Sequence, residues 1–244
     1  MRDPASAAPP IPFEDRSRVW PMRFLATFAT ALRPSATAPA FAREGTGAAL
    51  VFWLLTFPIL SALAGIVPAT STLLFGDARI YTIGSPTSDA VALDVARAAG
   101  LGLLTCTAPL VAMGPPCVSI VRSSAPGAPP ATSVRALAYR SFLLPLAGCL
   151  TALMGFLLGE TAAQSTLVLF QIATVIPVVL LFSSLQSAAR SAAGLGPLLS
   201  LGAALVPFVA AYVAWLFLGT AITPLMPSEE ELRALRETAQ QIFP

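Results

Sequence analysis

An all-α, polytopic transmembrane bundle is the fold class this sequence predicts, and three observations predict it. Of 244 residues, 56% are hydrophobic and only 11% are charged, against about 25% charged in an ordinary soluble domain. The apolar residues are gathered into long uncharged runs rather than spread at helix or strand period. Several of these runs approach or exceed the roughly 18 residues that mark a membrane-helix candidate. A soluble helical domain needs charges on its outer faces, and these runs have none to offer. The expected architecture is five spans, an N-terminal interfacial amphipathic helix and a short C-terminal helix.

Residues 1–19 carry Pro4, Pro9, Pro10 and Pro12, with Glu14 and Asp15 and no apolar core of a signal peptide. They read as a disordered cytoplasmic tail. Over residues 20–34, Trp20, Phe24, Leu25, Phe28 and Leu32 recur at helical spacing, Thr27 and Thr30 take the other side, and Arg23 and Arg33 lie near the ends. This pattern predicts an interfacial helix whose membrane-interface residues are Trp20, Arg23, Phe24, Phe28 and Arg33. It fits equally a helix packed on the protein's own membrane core. Pro34 stops the helix, and a hinge over 39–45 leads into the first span.

Span one covers about 46–68, with Trp53, Phe57 and Pro58 on it. The more polar stretch 70–94, with Asp77, Arg79, Asp89 and Asp94, is expected to be an external loop. Span two is centred on 98–113, starts near Ala90 and is ended by Gly114-Pro115-Pro116. A Pro-, Ser- and Ala-rich loop over 117–133 follows, with Arg122, Arg135 and Arg140 in or beside it. Span three covers 141–159, span four about 164–185, and span five about 195–222, joined by 160–163 and by a link over 186–194 that carries Arg190. These spans make up a membrane domain over 46–222. Ser228 and Glu231 have the spacing of a capping box and open a C-terminal external helix over 228–243.

Orientation follows from the fourteen basic residues, all arginine. With the N-terminus inside, Arg2, Arg16, Arg18, Arg23, Arg33, Arg43, Arg122, Arg135, Arg140 and Arg190 fall on cytoplasmic segments. Arg79, Arg97, Arg233 and Arg236 fall outside. The bias favours a cytoplasmic N-terminus and, across five spans, an external C-terminus.

Chemistry is constrained by what is missing. The chain has no histidine and no lysine, so neither an imidazole relay nor a Schiff base is available. The carboxylates lie at span ends and propose no nucleophile–base pair. Cys106, Cys117 and Cys149 form no Cys-x-x-Cys pair, which argues against a zinc site or a redox motif. Cys106 and Cys149 read as small residues of apolar runs, and Cys117 as a thiol reachable in the loop. Asp94 and Arg97 are three apart at the outer end of span two and read as an interfacial pair. Gly194-x-Gly196 before Pro197 reads as a turn, not a phosphate cradle. No catalytic residue, metal ligand or cofactor is therefore assigned, and a net charge of +2 gives no ground for nucleic acid.

Two constellations remain. Each span contains a proline, namely Pro58, Pro109, Pro145, Pro177 and Pro207. Such helix kinks line substrate sites in transporters but are also common in membrane helices generally. Gly148, Ala152, Gly155 and Gly159 make a small-residue helix-packing face, used for packing inside the bundle, with a homo-oligomer as the rarer alternative.

The order of parts resembles the Yip family, membrane proteins named for binding Ypt/Rab GTPases in eukaryotes and present also in bacteria. The resemblance rests on Phe24-Leu25-x-x-Phe28 leading into Arg33-Pro34, then on Phe41 and Ala48-Ala49-Leu50 at the first span. It extends over about 20–222. It implies five spans, a cytoplasmic N-terminus and a short external C-terminus. The acidic-Leu-x-Gly-Pro motif of the eukaryotic members does not occur here, so fold is implied more than a GTPase partner. The expected function is a non-enzymatic scaffold of a bacterial inner membrane. Its partners are the lipid bilayer and membrane or cytoplasmic proteins. The alternative is a small-solute transporter or a membrane subunit of one.

Overall fold

A computed structural model describes residues 10–43, 45–75, 88–129, 131–158 and 164–222, with side chains described over 10–43, 45–66, 95–129, 131–150 and 175–220. The expected C-terminal helix over 228–243, the acidic stretch 76–87 and Gly159 lie outside these residues, as do the side chains of Asp94, Ala152 and Gly155. Among the described residues all regular structure is helical. Seven helices carry the fold: α1 (Trp20–Ala29), α2 (Gly47–Phe75), α3 (Ser88–Ser124), α4 (Ala131–Arg140), α5 (Leu143–Leu158), α6 (Gln164–Ser187) and α7 (Pro197–Ile222). Short 3-10 turns and one helical turn, Pro34–Thr37, fill the chain between α1 and α2.

Among the described residues four helices are long and apolar enough to cross a membrane: α2 over Gly47–Ile66, α3 over Val95–Ser124, α6 with the π turn that continues it over Val175–Ala192, and α7 over Pro197–Thr220. This is compatible with an integral membrane protein. The helix at the place of expected span three, α5, has 16 residues, a length of about 24 Å against the roughly 30 Å of a bilayer's hydrocarbon core. α3 packs along both α2 and α7, and α5 packs along α2 and α6. Leu54, Ile59, Val111, Val209 and Phe217 are exposed on the spans, as apolar side chains facing lipid must be.

The helix boundaries differ from the sequence expectation at three places. Gly114-Pro115-Pro116 does not end span two; α3 runs through it to Ser124. Two successive prolines leave the carbonyls of Val111 and Ala112 without their usual donors, but only those two bonds are lost. The packing of α2 and α7 along the helix holds it on course. Cys117 therefore is not a loop thiol but a helical residue only 4% exposed. The described loop shrinks to residues 125–129, and the short helix α4 begins at Ala131. Third, the link over 186–194 is mostly helix: α6 passes into a π turn at Ala188–Ala192.

Pro145 is not a kink. It is the third residue of α5, where backbone donors have no helical acceptor anyway. The carbonyl of Ser141 that it would have bonded accepts from Leu144 N at 3.0 Å instead. Pro109, Pro177 and Pro207 do lie inside helices, and Pro58 falls within α2.

Among the described residues a close helix crossing lies between α2 and α3; of the glycine face expected on α5, only Gly148 is described. A Cβ built on Gly65 would collide with the backbone carbonyl of Ala98, and one on Gly102 would collide with the carbonyl of Ser61. Only glycine at both positions lets the two backbones touch. Gly148 is looser, since a Cβ there would sit 3.2 Å from Ala64 Cβ.

We expect Gly65→Ala and Gly102→Ala each to destabilise the fold by about 1–3 kcal/mol, the usual cost of overpacking a tight site. Gly114→Ala, whose Cβ meets nothing within 4 Å, should be neutral or mildly stabilising. Thermal unfolding in one detergent, compared across the three variants, checks the order; equal midpoints would show that the crossing is loose.

Candidate functional site

The site begins with α4. Seven of its ten residues are buried, among them Arg135, Tyr139 and Arg140. A short helix between two loops is buried on so many sides only if other segments cover it. α4 lies against α2, α3 and α6, and the N-terminal segment closes over it through Ala38–Ala42. Arg135 and Arg140 are 2% and 1% exposed. Two charges so far from water must find partners or destabilise the fold.

Arg135 finds a carboxylate. Its Nη2 donates to Glu14 Oε1 at 2.5 Å and to the carbonyl of Ala40 at 3.3 Å, and its Nη1 donates to the carbonyl of Gly45 at 2.5 Å. Tyr139, one helical turn further on, donates its hydroxyl to the same Glu14 oxygen at 2.9 Å. One carboxylate thus receives two donors from one face of α4. The glycine at 45 adopts φ +85°, a conformation that turns the chain into α2 and that a side chain would strain.

Among the described residues, the hydrogen-bond partners of Arg140 are carbonyls and hydroxyls, not a carboxylate. Its Nη1 donates to Thr30 Oγ1 at 2.8 Å and to the carbonyl of Thr27 at 3.5 Å; its Nη2 donates to the carbonyl of Thr30 at 3.2 Å and to Thr37 Oγ1 at 2.7 Å. The guanidinium also lies 5.5 Å from the centre of the Phe41 ring, a favourable place for a cation. Thr27 and Thr30 stand at the end of α1, where the helix dipole is negative, and their carbonyls also accept from the amides of Thr30 and Arg33. Arg140 therefore caps α1 from another helix. Burial lowers its pKa to about 10, so it stays charged at neutral pH. The lowering comes from desolvation, against which the four acceptors and the ring work.

The N-terminal residues supply the covering layer. Ile11 and Phe13 are each 3% exposed, so the segment expected to begin a disordered tail is docked from Ile11 onward. Arg23 turns inward, donating from Nε to the carbonyl of Phe13 at 2.7 Å and lying 5.0 Å from the centre of the Phe13 ring. Phe24 and Phe28 join a ring cluster around the buried Phe52 of α2, at centroid distances of 5.7 and 5.6 Å. Phe13 and Tyr139 meet Phe52 from other sides, and Phe28 meets Phe142. Of the expected membrane-interface residues, Trp20 and Arg33 are exposed, whereas Arg23, Phe24 and Phe28 face the protein. Thr27, expected on the solvent side, is fully buried.

Nothing in the sequence pattern singled out Glu14, Tyr139 or Thr37. The available signals were Ile11-x-Phe13-Glu14 breaking a polar tail and Arg135 and Tyr139 four apart. Chemically the cluster holds segments together. Its carboxylate is occupied by donors, and burial with the Glu14 charge pushes the Tyr139 hydroxyl well above its ordinary pKa. Among the described residues no group of three His, Cys, Asp or Glu could hold a metal. Beside α4 lies a narrow crevice, with room for no more than a water, touched by Cys117, Thr132, Ser133 and Ala203. The Thr132 hydroxyl there has no hydrogen-bond partner among the described residues.

Arg135→Ala should cost about 2–3 kcal/mol because it leaves a half-buried carboxylate with Tyr139 as its remaining donor, and Tyr139→Phe about 1 kcal/mol, both read from unfolding midpoints. The two groups also titrate in opposite senses. Tyr139 is held neutral in the fold, so its contribution is present below pH 10 and is lost as pH rises above it. Arg140 releases its proton first in the fold, so stability gains from it as pH rises above about 10. Tyr139→Phe should therefore lose less stability than the parent between pH 9.5 and pH 11; an identical decline in both would remove Tyr139 from the alkaline transition.

The chain matches no protein-family model, no curated protein and no solved structure.

Proposed function

We propose that this chain is a non-enzymatic integral membrane protein of the Yip-like type, a scaffold that presents its N-terminal region to partners at the cytoplasmic face of a bacterial inner membrane. The observation that carries this reading is the use made of the two buried arginines. Both are spent on holding residues 11–46 against α4, which makes a rigid platform at one end of the bundle. A rigid surface is what recruitment needs, because a partner then binds without ordering the segment first. The partners are membrane or cytoplasmic proteins together with the bilayer, and a second copy of the chain is among them.

The topology belongs to the same proposal: five spans, with α5 as the third, a cytoplasmic N-terminus and an external C-terminal helix over 228–243. The excess of arginine on the segments before α2 and between α3 and α5 supports it. A second reading, a small-solute transporter or its membrane subunit, is favoured by one observation. α3, α6 and α7 carry prolines in their interiors, and broken helices can line a substrate path.

Two measurements test this. Cys117 is buried, so the inside probe is placed at Gly127, where a side chain meets nothing. A membrane-impermeant maleimide should label Gly127→Cys only in opened cells and Glu237→Cys in intact ones. Labelling of both from one side would mean an even number of crossings between them and would sink the five-span topology. For the function, proteoliposomes should show no saturable uptake; uptake that disappears in Pro109→Ala or Pro177→Ala would replace the scaffold with the transporter.

A further inference from the structure

α1 has two apolar faces, and only one is used inside the protein. Phe24, Thr27, Phe28 and Ala31 point into the core. Val19, Met22, Leu25 and Leu32 stand 72%, 62%, 63% and 69% exposed. Their spacing of three, three and seven residues places them in one stripe along the helix and its 3-10 extension. Trp20, also exposed, stands at the start of the helix. Four large apolar side chains in a row, left in water, would be a heavy liability for a helix fixed in place by Arg140 and the aromatic cluster.

The depth of this stripe along the membrane axis says what covers it. Phe24 and Phe28 both pack on Phe52, five residues after the first residue of α2. At 1.5 Å per residue this sets α1 beside the span about 8 Å from its start. That is the depth at which an interfacial helix rests, with its apolar face about 5–10 Å into the boundary between headgroups and acyl chains. Charge agrees with position. Arg16, Arg18 and Arg33, before and after the stripe, are exposed, where headgroup phosphates lie.

We propose that the Val19–Met22–Leu25–Leu32 face of α1 is a lipid-docking surface, seated on the acyl chains at the boundary of an anionic leaflet with Arg16, Arg18 and Arg33 on headgroup phosphates. It rests on the reading of α2 as a membrane span. The residues that reach lipid are thus different from Phe24 and Phe28, which anchor the helix to the protein. α1 is clamped from one side by the bundle and supported from the other by the bilayer. Arginine at such a surface favours anionic lipid.

The full chain is reconstituted into discs of phosphatidylcholine with phosphatidylglycerol, and nitroxides are attached singly at Leu25→Cys and at Leu54→Cys, with the three native cysteines replaced. Collision with oxygen should exceed collision with a water-soluble nickel complex at both sites, and the Leu25 label should lie about 5–10 Å below the phosphates. If Leu54 reports lipid and Leu25 reports water, the docking surface is wrong and the span stands. If Leu54 also reports water, the membrane reading itself fails. Spin–spin broadening at Leu25 would assign the face to a second copy and overturn the proposal. Because removing cysteines can harm folding, the parent chain is measured in parallel by quenching with brominated lipid. The quenched signal lost in Trp20→Phe should report a shallow indole, and its absence counts against the proposal. Replacing Arg16, Arg18 and Arg33 by Gln should move the Leu25 label outward in anionic discs; an unchanged depth overturns the headgroup contacts.

Discussion

Two guanidinium groups in a place that water does not reach constrain this structure more than any other feature. Arg135 and Arg140 sit on one short helix at one end of the bundle, and each is nearly inaccessible. A buried charge without acceptors is among the costliest arrangements a fold can contain. The acceptors come from residues far away in sequence: Glu14, Thr30, Thr37, Ala40 and Gly45. The N-terminal segment therefore has one place to go. Its aromatic residues close the arrangement around Phe52, which ties the segment to the first span.

The two arginines solve the same problem differently. Arg135 uses a carboxylate, and pairing of this kind in the interior gives specificity more dependably than net stability. Arg140 uses carbonyls at a helix end together with two hydroxyls and a ring. The negative end of α1 thereby meets a cation from outside its own helix. Both remain incompletely satisfied, since the Nε atoms of Arg135 and Arg140 have no hydrogen-bond partner among the described residues. Geometry at the two forks, rather than full satisfaction, fixes how α1 lies.

What could be read from the sequence and what could not divide along physical lines. Length and hydropathy speak directly about helices in lipid, and the apolar runs at Gly47–Ile66 and Pro197–Thr220 appear as membrane-length helices. Proline speaks about a local bond, not about packing. The helix through Pro115 and Pro116 was missed because neighbours on both sides keep it straight enough to continue. α1 was legible as an amphipathic helix, but period alone cannot tell which apolar face meets protein when both faces are apolar. Its threonines misled for a related reason: Thr27 can satisfy its hydroxyl on the carbonyl of Arg23 at 2.7 Å and so be buried. Arg135 and Arg140 counted as loop charges because a sequence does not show a carboxylate 121 residues away. The close crossing at Gly65 and Gly102 was marked in the sequence, since each glycine stands four residues after a small one, Ser61 and Ala98, but small residues are so frequent in this chain that the spacing did not stand out.

The clamp is most directly tested by hydrogen exchange of the full chain in detergent, the parent compared with Arg140→Met. If Arg140 holds α1 and the turns after it, amides over 20–42 should lose protection together, while those of α2 and α7 keep theirs. Protection over 20–42 that is unchanged by Arg140→Met would contradict the Arg140 clamp and leave Arg135 and the aromatic cluster around Phe52 to anchor the N-terminal segment.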